Sequence, residues 1–164
     1  MRKILFVCTG NSCRSVMAEG LLKHLLKQKG RNDFHVLSAG VSAMGGAGPS
    51  PETVDVMKKE GVDVSGHISQ PATLQLIRHA DAIFCMEEFQ REILIAQVPE
   101  MHEKVHLLKL FMNKQKIVDP NIPDPIGRPK EVYESCLITI KDAVGRIGRW
   151  LTKESEQSKA EDDK

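Results

Sequence analysis

The chain has 164 residues, 27% of them charged, with a net charge of +1. That length suits one domain with a proper core, and the near-neutral balance gives no electrostatic reason to expect a nucleic acid or a membrane surface as partner. Aromatic content is only 4%, so the core must be built from Leu, Ile, Val, Met and Ala. No apolar stretch is long enough to span a bilayer. The start, MRKILFVC, places two basic residues before an apolar run, but that run breaks at Thr9-Gly10-Asn11, too soon for a secretory core. A cytoplasmic protein is expected. Its four cysteines, Cys8, Cys13, Cys85 and Cys136, show no secreted disulfide spacing and are expected as free thiols.

Lys3 to Val7 is a short apolar run that reads as a strand buried on both faces. The loop CTGNSCRS follows, from Cys8 to Ser15. Val16 to Lys29 has apolar residues at helical spacing (Val16, Met17, Leu21, Leu22, Leu25, Leu26) and stops at Gly30. His35 to Leu37 is a second strand, closed by Ser38-Ala39-Gly40. Val41 to Ser50 is a glycine-rich loop. Pro51 suits the first position of a helix that ends near Gly61. Val62 to Thr73 is irregular, and a short helix follows through His79. Asp81 to Met86 is a strand, Glu87 to Gln97 a helix stopped by Pro99, and Val105 to Leu108 a fourth strand. Asp119 to Pro129 holds four prolines and reads as loop. Glu131 to Lys153 is a long closing helix. Residues 1–153 are therefore expected as a single domain, and 154–164 as a polar, disordered tail. Strands alternating with helices predict an α/β three-layer sandwich, a four-stranded parallel twisted sheet with helices on both faces.

In an open parallel sheet, ligands sit beyond the carboxyl ends of the strands. The Cys8–Ser15 loop leaves the first strand at that end and feeds a helix. Successive backbone N–H groups there form an anion cradle, and the helix start adds partial positive charge. Arg14 offers a permanently charged fork that can hold two oxygens of a phosphate. The same field favours the thiolate of Cys8. These are the parts of a covalent phosphoryl transfer: a thiolate attacks phosphorus, amides and a guanidinium hold the oxygens, and Ser15 hydrogen-bonds the sulfur as it leaves. A general acid is still required. A Walker-type nucleotide loop is excluded, because no GK[ST] triplet occurs. Zinc is disfavoured because no His or Cys pair stands nearby at metal spacing, so neither metal nor cofactor is expected. A Cys8/Cys13 redox pair has C-x4-C spacing, not the C-x-x-C of thioredoxin-like proteins.

Cys8, Arg14 and Ser15 in the pattern C-x5-R-[ST], this close to the N-terminus, resemble the low-molecular-weight protein tyrosine phosphatases, of bacterial type. The similarity takes in CTGNSCRSVMAEGLL, SAGVS (Ser38 to Ser42), VSGH (Val64 to His67), ADAIFCMEE (Ala80 to Glu88) and PDPIGRPKEVYESC (Pro123 to Cys136). The resemblance implies a cysteinyl-phosphate mechanism with Cys8 as nucleophile and Thr9, Gly10, Asn11, Ser12, Cys13, Arg14 and Ser15 around the phosphate. It implies Asp124, of the second Asp-Pro pair, as general acid, with Asp119 the alternative. It also implies that Asn11 holds the loop shape, with Ser15, Ser42 and His67 as partners.

The expected activity is phosphotyrosine hydrolysis on a phosphorylated protein substrate, by a monomer. Phosphoarginine is the alternative, because Ser12 stands where family members acting on phosphoarginine have Thr and eukaryotic members have Ile. Ile126 and Gly127 also stand where those eukaryotic members carry aromatic residues after the Asp-Pro. Thioredoxin-coupled arsenate reductases share a similar loop but need further cysteines after the third strand, where this chain has MEEFQREILIAQ. A non-catalytic phosphate-binding module is opposed by the joint presence of Cys8, Arg14 and Asp124. Cys13 remains a candidate disulfide partner for Cys8 under peroxide.

Overall fold

The computed structural model describes residues 1–162, with side chains placed through Lys153. Its strands are β1 (Arg2–Cys8), β2 (Phe34–Gly40), β3 (Ala82–Cys85) and β4 (Val105–Leu107). Its helices are α1 (Arg14–Gln28), α2 (Pro51–Lys59), α3 (Leu74–Arg78), α4 (Glu88–Gln97) and α5 (Lys130–Asp162). All strand pairs are parallel, in the order β2-β1-β3-β4. The expected three-layer sandwich is present. From β1 the chain moves outward to β2 on one side, then returns to β3 on the other. The carboxyl end of β1 therefore lies at the point where the strand order reverses, which is where such sheets bind ligands.

Alternation along β1 sorts the two faces. Ile4, Phe6 and Cys8 join the core beneath α1, α2 and α5, whereas Leu5 and Val7 join Ile77, Ile83 and Leu94 beneath α3 and α4. Strand parity thus puts the Cys8 side chain on the α1 side of the sheet. Met17, Met57 and Met86 are fully buried in this core. Aromatic edges extend it: Phe84 meets Phe111 at 4.8 Å, and Phe111 meets Trp150 at 5.1 Å.

Two boundaries differ usefully from expectation. Helix α1 begins at Arg14 rather than Val16, so Arg14 and Ser15 belong to its first turn. Helix α5 continues to Asp162 past the expected end at Lys153. The tail expected over 154–164 falls on residues whose side chains, and for 163–164 also the backbone, lie outside the described ones. A 3-10 helix at Pro99–Lys104, not read from the sequence, bridges α4 and β4. No described helix is long and apolar enough to cross a membrane.

Candidate active site

The loop after β1 is tight because two other segments press against it. Gly40, at the end of β2, packs so closely that a Cβ there would sit 2.5 Å from the Thr9 carbonyl oxygen and 2.9 Å from the Asn11 nitrogen. Val41 and Ser42 donate backbone hydrogen bonds to the Cys8 and Thr9 carbonyls, each at 2.9 Å. On the other flank Ser50 N–H donates to the Ser12 carbonyl at 3.0 Å. Asn11 turns the chain with φ +55°, a left-handed conformation that Asn tolerates better than most residues.

The turn brings the Asn11 N–H to 3.2 Å from the Cys8 sulfur, and the Ser15 hydroxyl to 3.0 Å from it. Cys8 is 2% exposed, so few other groups can reach the sulfur. The N–H groups of Gly10, Ser12 and Cys13 have no protein acceptor among the described residues. Helix α1 starts here with no side-chain cap and no acidic residue in its first turn. Free amides, an uncapped helix start and a buried thiol converge on one spot, as an oxyanion requires.

Arg14 is 1% exposed and held from several sides. Its Nη1 donates to Glu87 Oε2 at 2.5 Å and to the Ile122 carbonyl at 2.8 Å. Its Nη2 lies 3.0 Å from Asp124 Oδ2 and 3.5 Å from the Thr9 hydroxyl. Its Nε is buried and has no protein acceptor among the described residues. An unmade hydrogen bond of that kind costs about 1–3 kcal/mol, which a bound oxyanion would offset. Burial works against the guanidinium's charge, but Glu87, Cys8 and Asp124 outweigh it and hold the Arg14 pKa above its ordinary value.

Of the two Asp-Pro pairs, only Asp124 reaches this guanidinium. Its other oxygen, Oδ1, accepts from the Ile126 N–H at 3.1 Å, so the loop fixes the carboxylate at the rim, 38% exposed. Asp119 instead accepts from the Asn121 N–H at 2.9 Å and forms a local turn.

Beneath the loop, Asn11 Nδ2 donates to Ser15 Oγ at 2.9 Å and to Ser38 Oγ at 2.8 Å. Its Oδ1 accepts from the Gln70 N–H at 2.9 Å, and its carbonyl meets His67 Nε2 at 3.1 Å. His67 thus contacts the loop through the Asn11 carbonyl. Ser42 does not: its side chain is exposed, and it contributes only backbone. Ser38 takes the place expected of Ser42. The physical reason is register, since Ser38 lies opposite Phe6 within β2 and faces the loop's underside, while Ser42 is already past the strand. Cys13 points away from the cradle, with its sulfur 3.3 Å from Ser50 Oγ and 3.9 Å from the buried Tyr133 hydroxyl. Ser12 Oγ is 3.6 Å from the same sulfur, half-buried at the mouth.

Three contributors escaped the sequence reading. Glu87 anchors Arg14. Gln90, fully buried, donates to the Thr9 hydroxyl at 3.1 Å and to Glu87 Oε2 at 3.2 Å, while its Oε1 accepts from the Met86 and Glu87 N–H groups. Ile122 supplies a carbonyl. The Glu87–Gln90 pair forms a capping box at the start of α4, and its E-x-x-Q spacing was a readable signal. Cys85 and Cys136 are buried, and burial pushes each thiol up to about 12, which leaves both neutral and unreactive. Among the described residues, no group of three or more His, Cys, Asp or Glu could hold a metal.

A parallel α/β sandwich with an anion cradle opening off its first strand defines a small phosphate-handling enzyme, and comparison with known proteins makes that class specific. Residues 3–157 match the family model described as low molecular weight phosphotyrosine protein phosphatase. The chain is 30% identical over 151 residues to a protein-arginine-phosphatase of Bacillus subtilis strain 168, spanning 92% of this chain and 97% of that one. It is 35% identical over 151 residues to the low molecular weight protein-tyrosine-phosphatase Wzb of Escherichia coli K12, spanning 92% and 96%. The solved YwlE arginine phosphatase from Geobacillus stearothermophilus superposes with a TM-score of 0.85 at 32% identity, covering 96% of this chain and 97% of that one. This chain belongs to the low molecular weight phosphotyrosine protein phosphatase family and is a hydrolase of its bacterial type.

Proposed function

We propose that this chain is a protein arginine phosphatase that works through a cysteinyl-phosphate intermediate on Cys8. One arrangement supports the mechanism: the Cys8 sulfur is held by the Ser15 hydroxyl and the Asn11 N–H, while Arg14 keeps its Nε unpaired and its Nη2 3.0 Å from the Asp124 carboxylate. The Cys8 thiolate attacks phosphorus, and the S–P bond forms as the P–N bond of the substrate breaks. Protonated Asp124 delivers its proton to the departing guanidine nitrogen. In the second step Asp124, now a carboxylate, takes a proton from water as the water oxygen attacks phosphorus. The S–P bond breaks, inorganic phosphate leaves, and the thiolate is stabilised by the Ser15 hydroxyl and the Asn11 N–H. The loop amides and Arg14 hold the three equatorial oxygens throughout.

The phosphoarginine reading departs from the phosphotyrosine expectation because no aromatic residue follows the Asp124-Pro125 pair until the buried Tyr133, and the exposed ring near the Arg14 anchor is Phe89 on α4. Ile126, 53% exposed, follows the Asp124-Pro125 pair, and Ser12 presents a small hydroxyl. Phe6, Phe84, Phe111 and Trp150 are committed to the core stack, and Tyr133 is buried under Cys13. The Bacillus and Geobacillus relatives, named as arginine phosphatases, support it. Phosphotyrosine is the second reading, favoured by the 35% identity to Wzb. Parallel kcat/KM measurements on one peptide carrying phosphoarginine or phosphotyrosine test the choice. At least a tenfold preference for phosphoarginine is expected, and the reverse preference would establish the second reading.

A further inference from the structure

The face of α5 far from the catalytic loop borders a second cleft, of about 580 Å3, that the phosphatase reaction does not use. Lys114, Arg146, Arg149, Lys153, Trp150 and Met112 are among its lining, with one carboxylate, Asp142. Arg146, Arg149 and Lys153 lie three and four residues apart on α5, so they share one stripe roughly 10 Å long. Lys114 is contributed by the turn after β4. Arg146 is paired with Asp142, but Lys114, Arg149 and Lys153 are exposed and have no acidic partner among the described residues.

The turn that carries Lys114 is built rather than loose. Arg146 is 9% exposed and spends two donors on main-chain carbonyls, Nε on Phe111 and Nη2 on Lys109, both at 2.9 Å. Asn113 Nδ2 adds a bond to the Lys109 carbonyl, and Asn113 Oδ1 accepts from the Gln115 N–H at 2.9 Å. Between them Met112 is held at φ +53°. Asn11 and Met112 are the two non-glycine residues at positive φ among the described ones; the first shapes the catalytic loop. Met lacks the short polar side chain that makes this conformation tolerable for Asn, so the surrounding bonds must enforce it. The enforced turn sets an apolar side chain, 57% exposed, at the lip of a cleft with three cations that have no acidic partner among the described residues.

The geometry points to a binding site for a small molecule bearing a polyphosphate chain. Lys114, Arg149 and Lys153 hold the chain from two sides of the cleft, and Met112 and Trp150 provide apolar surface for whatever body is attached. The volume lies within the usual range for small-molecule sites. Trp150 packs near the start of β1, where the Arg2 guanidinium sits 5.2 Å from its ring, whereas Cys8 ends that strand about 20 Å away. The two anion sites are therefore separate, and the second does not rest on the assignment of Cys8.

Trp150 is the sole tryptophan, so its fluorescence reports on this cleft. The test titrates the full chain with ATP and, separately, with inorganic tripolyphosphate at fixed ionic strength. Saturating inorganic phosphate is present to occupy the catalytic loop. A saturable change is expected below millimolar ligand, at least tenfold weaker in the K114A/R149A/K153A variant, whose turnover of p-nitrophenyl phosphate matches the parent. Equal midpoints for both compounds assign the chain alone as the recognised group; a response confined to ATP assigns a nucleotide. No saturable change with either compound, or a variant that titrates like the parent, overturns the site.

Discussion

Replacing Asn11 with Ala should damage stability and catalysis together, and the two losses can be worked out separately. The Asn11 side chain makes three hydrogen bonds, two of them buried (to Ser15 and Ser38) and one half-buried (from the Gln70 N–H). At about 1 kcal/mol net for each, their loss costs about 3 kcal/mol. Ala at φ +55° adds roughly 1 kcal/mol more. Urea unfolding should therefore show a deficit of about 4 kcal/mol. Asn11→Gly loses the same bonds but accepts the positive φ, and should recover about 1 kcal/mol of that loss against the Ala variant. Catalysis suffers because the freed Ser15 hydroxyl no longer points at the Cys8 sulfur. A hydrogen bond to a charged sulfur contributes about 1.5–3 kcal/mol, so kcat/KM on p-nitrophenyl phosphate should fall roughly ten- to a hundredfold. Gly should not restore it. An Ala variant within twofold of the parent in kcat/KM, while destabilised as stated, would refute the claim that Asn11 aims Ser15 at the nucleophile.

Cys8→Ser should abolish measurable turnover of p-nitrophenyl phosphate in EDTA without lowering the urea midpoint; full activity would eliminate the covalent mechanism. Asp124→Asn should slow substrates with poor leaving groups at least tenfold more than those with good ones, since only the former need its proton. Gln90→Leu removes the donor to Thr9 and Glu87, so inhibition by vanadate should weaken about tenfold, with kcat/KM falling in parallel. Stability should decline between the ordinary thiol pKa of 9.0 and about 12. Native Cys85 and Cys136 stay protonated there while the unfolded thiols ionise, so the native state binds more protons and loses about 1.4 kcal/mol per pH unit per thiol. Unfolding midpoints that stay flat across that interval would contradict their burial as neutral groups.

The sandwich was legible because each strand is a short apolar run closed by small or turn-forming residues, and Pro51 and Gly30 punctuate the helices between them. The cradle was legible for the same reason, since Cys8 to Ser15 lie within one continuous stretch. What stayed hidden depends on register and long-range closure. SAGVS contains two serines, and only pairing of Ser38 opposite Phe6 decides which one faces Asn11. The partners of Arg14 lie 73 and 108 residues downstream, at Glu87 and the Ile122 carbonyl, and no local pattern announces a loop carbonyl that accepts from so distant a guanidinium. The start of α1 was misplaced by two residues because Arg14 and Ser15 are polar and lack a capping side chain, yet both are buried.

The 3.0 Å contact between Arg14 Nη2 and Asp124 means that an ester entering the loop meets a guanidinium already shared with a carboxylate. Its attraction for that guanidinium is therefore weaker than it would be for an unpaired one. A guanidinium already balanced by one carboxylate makes the charge of an entering ester count alongside the shape of its side chain.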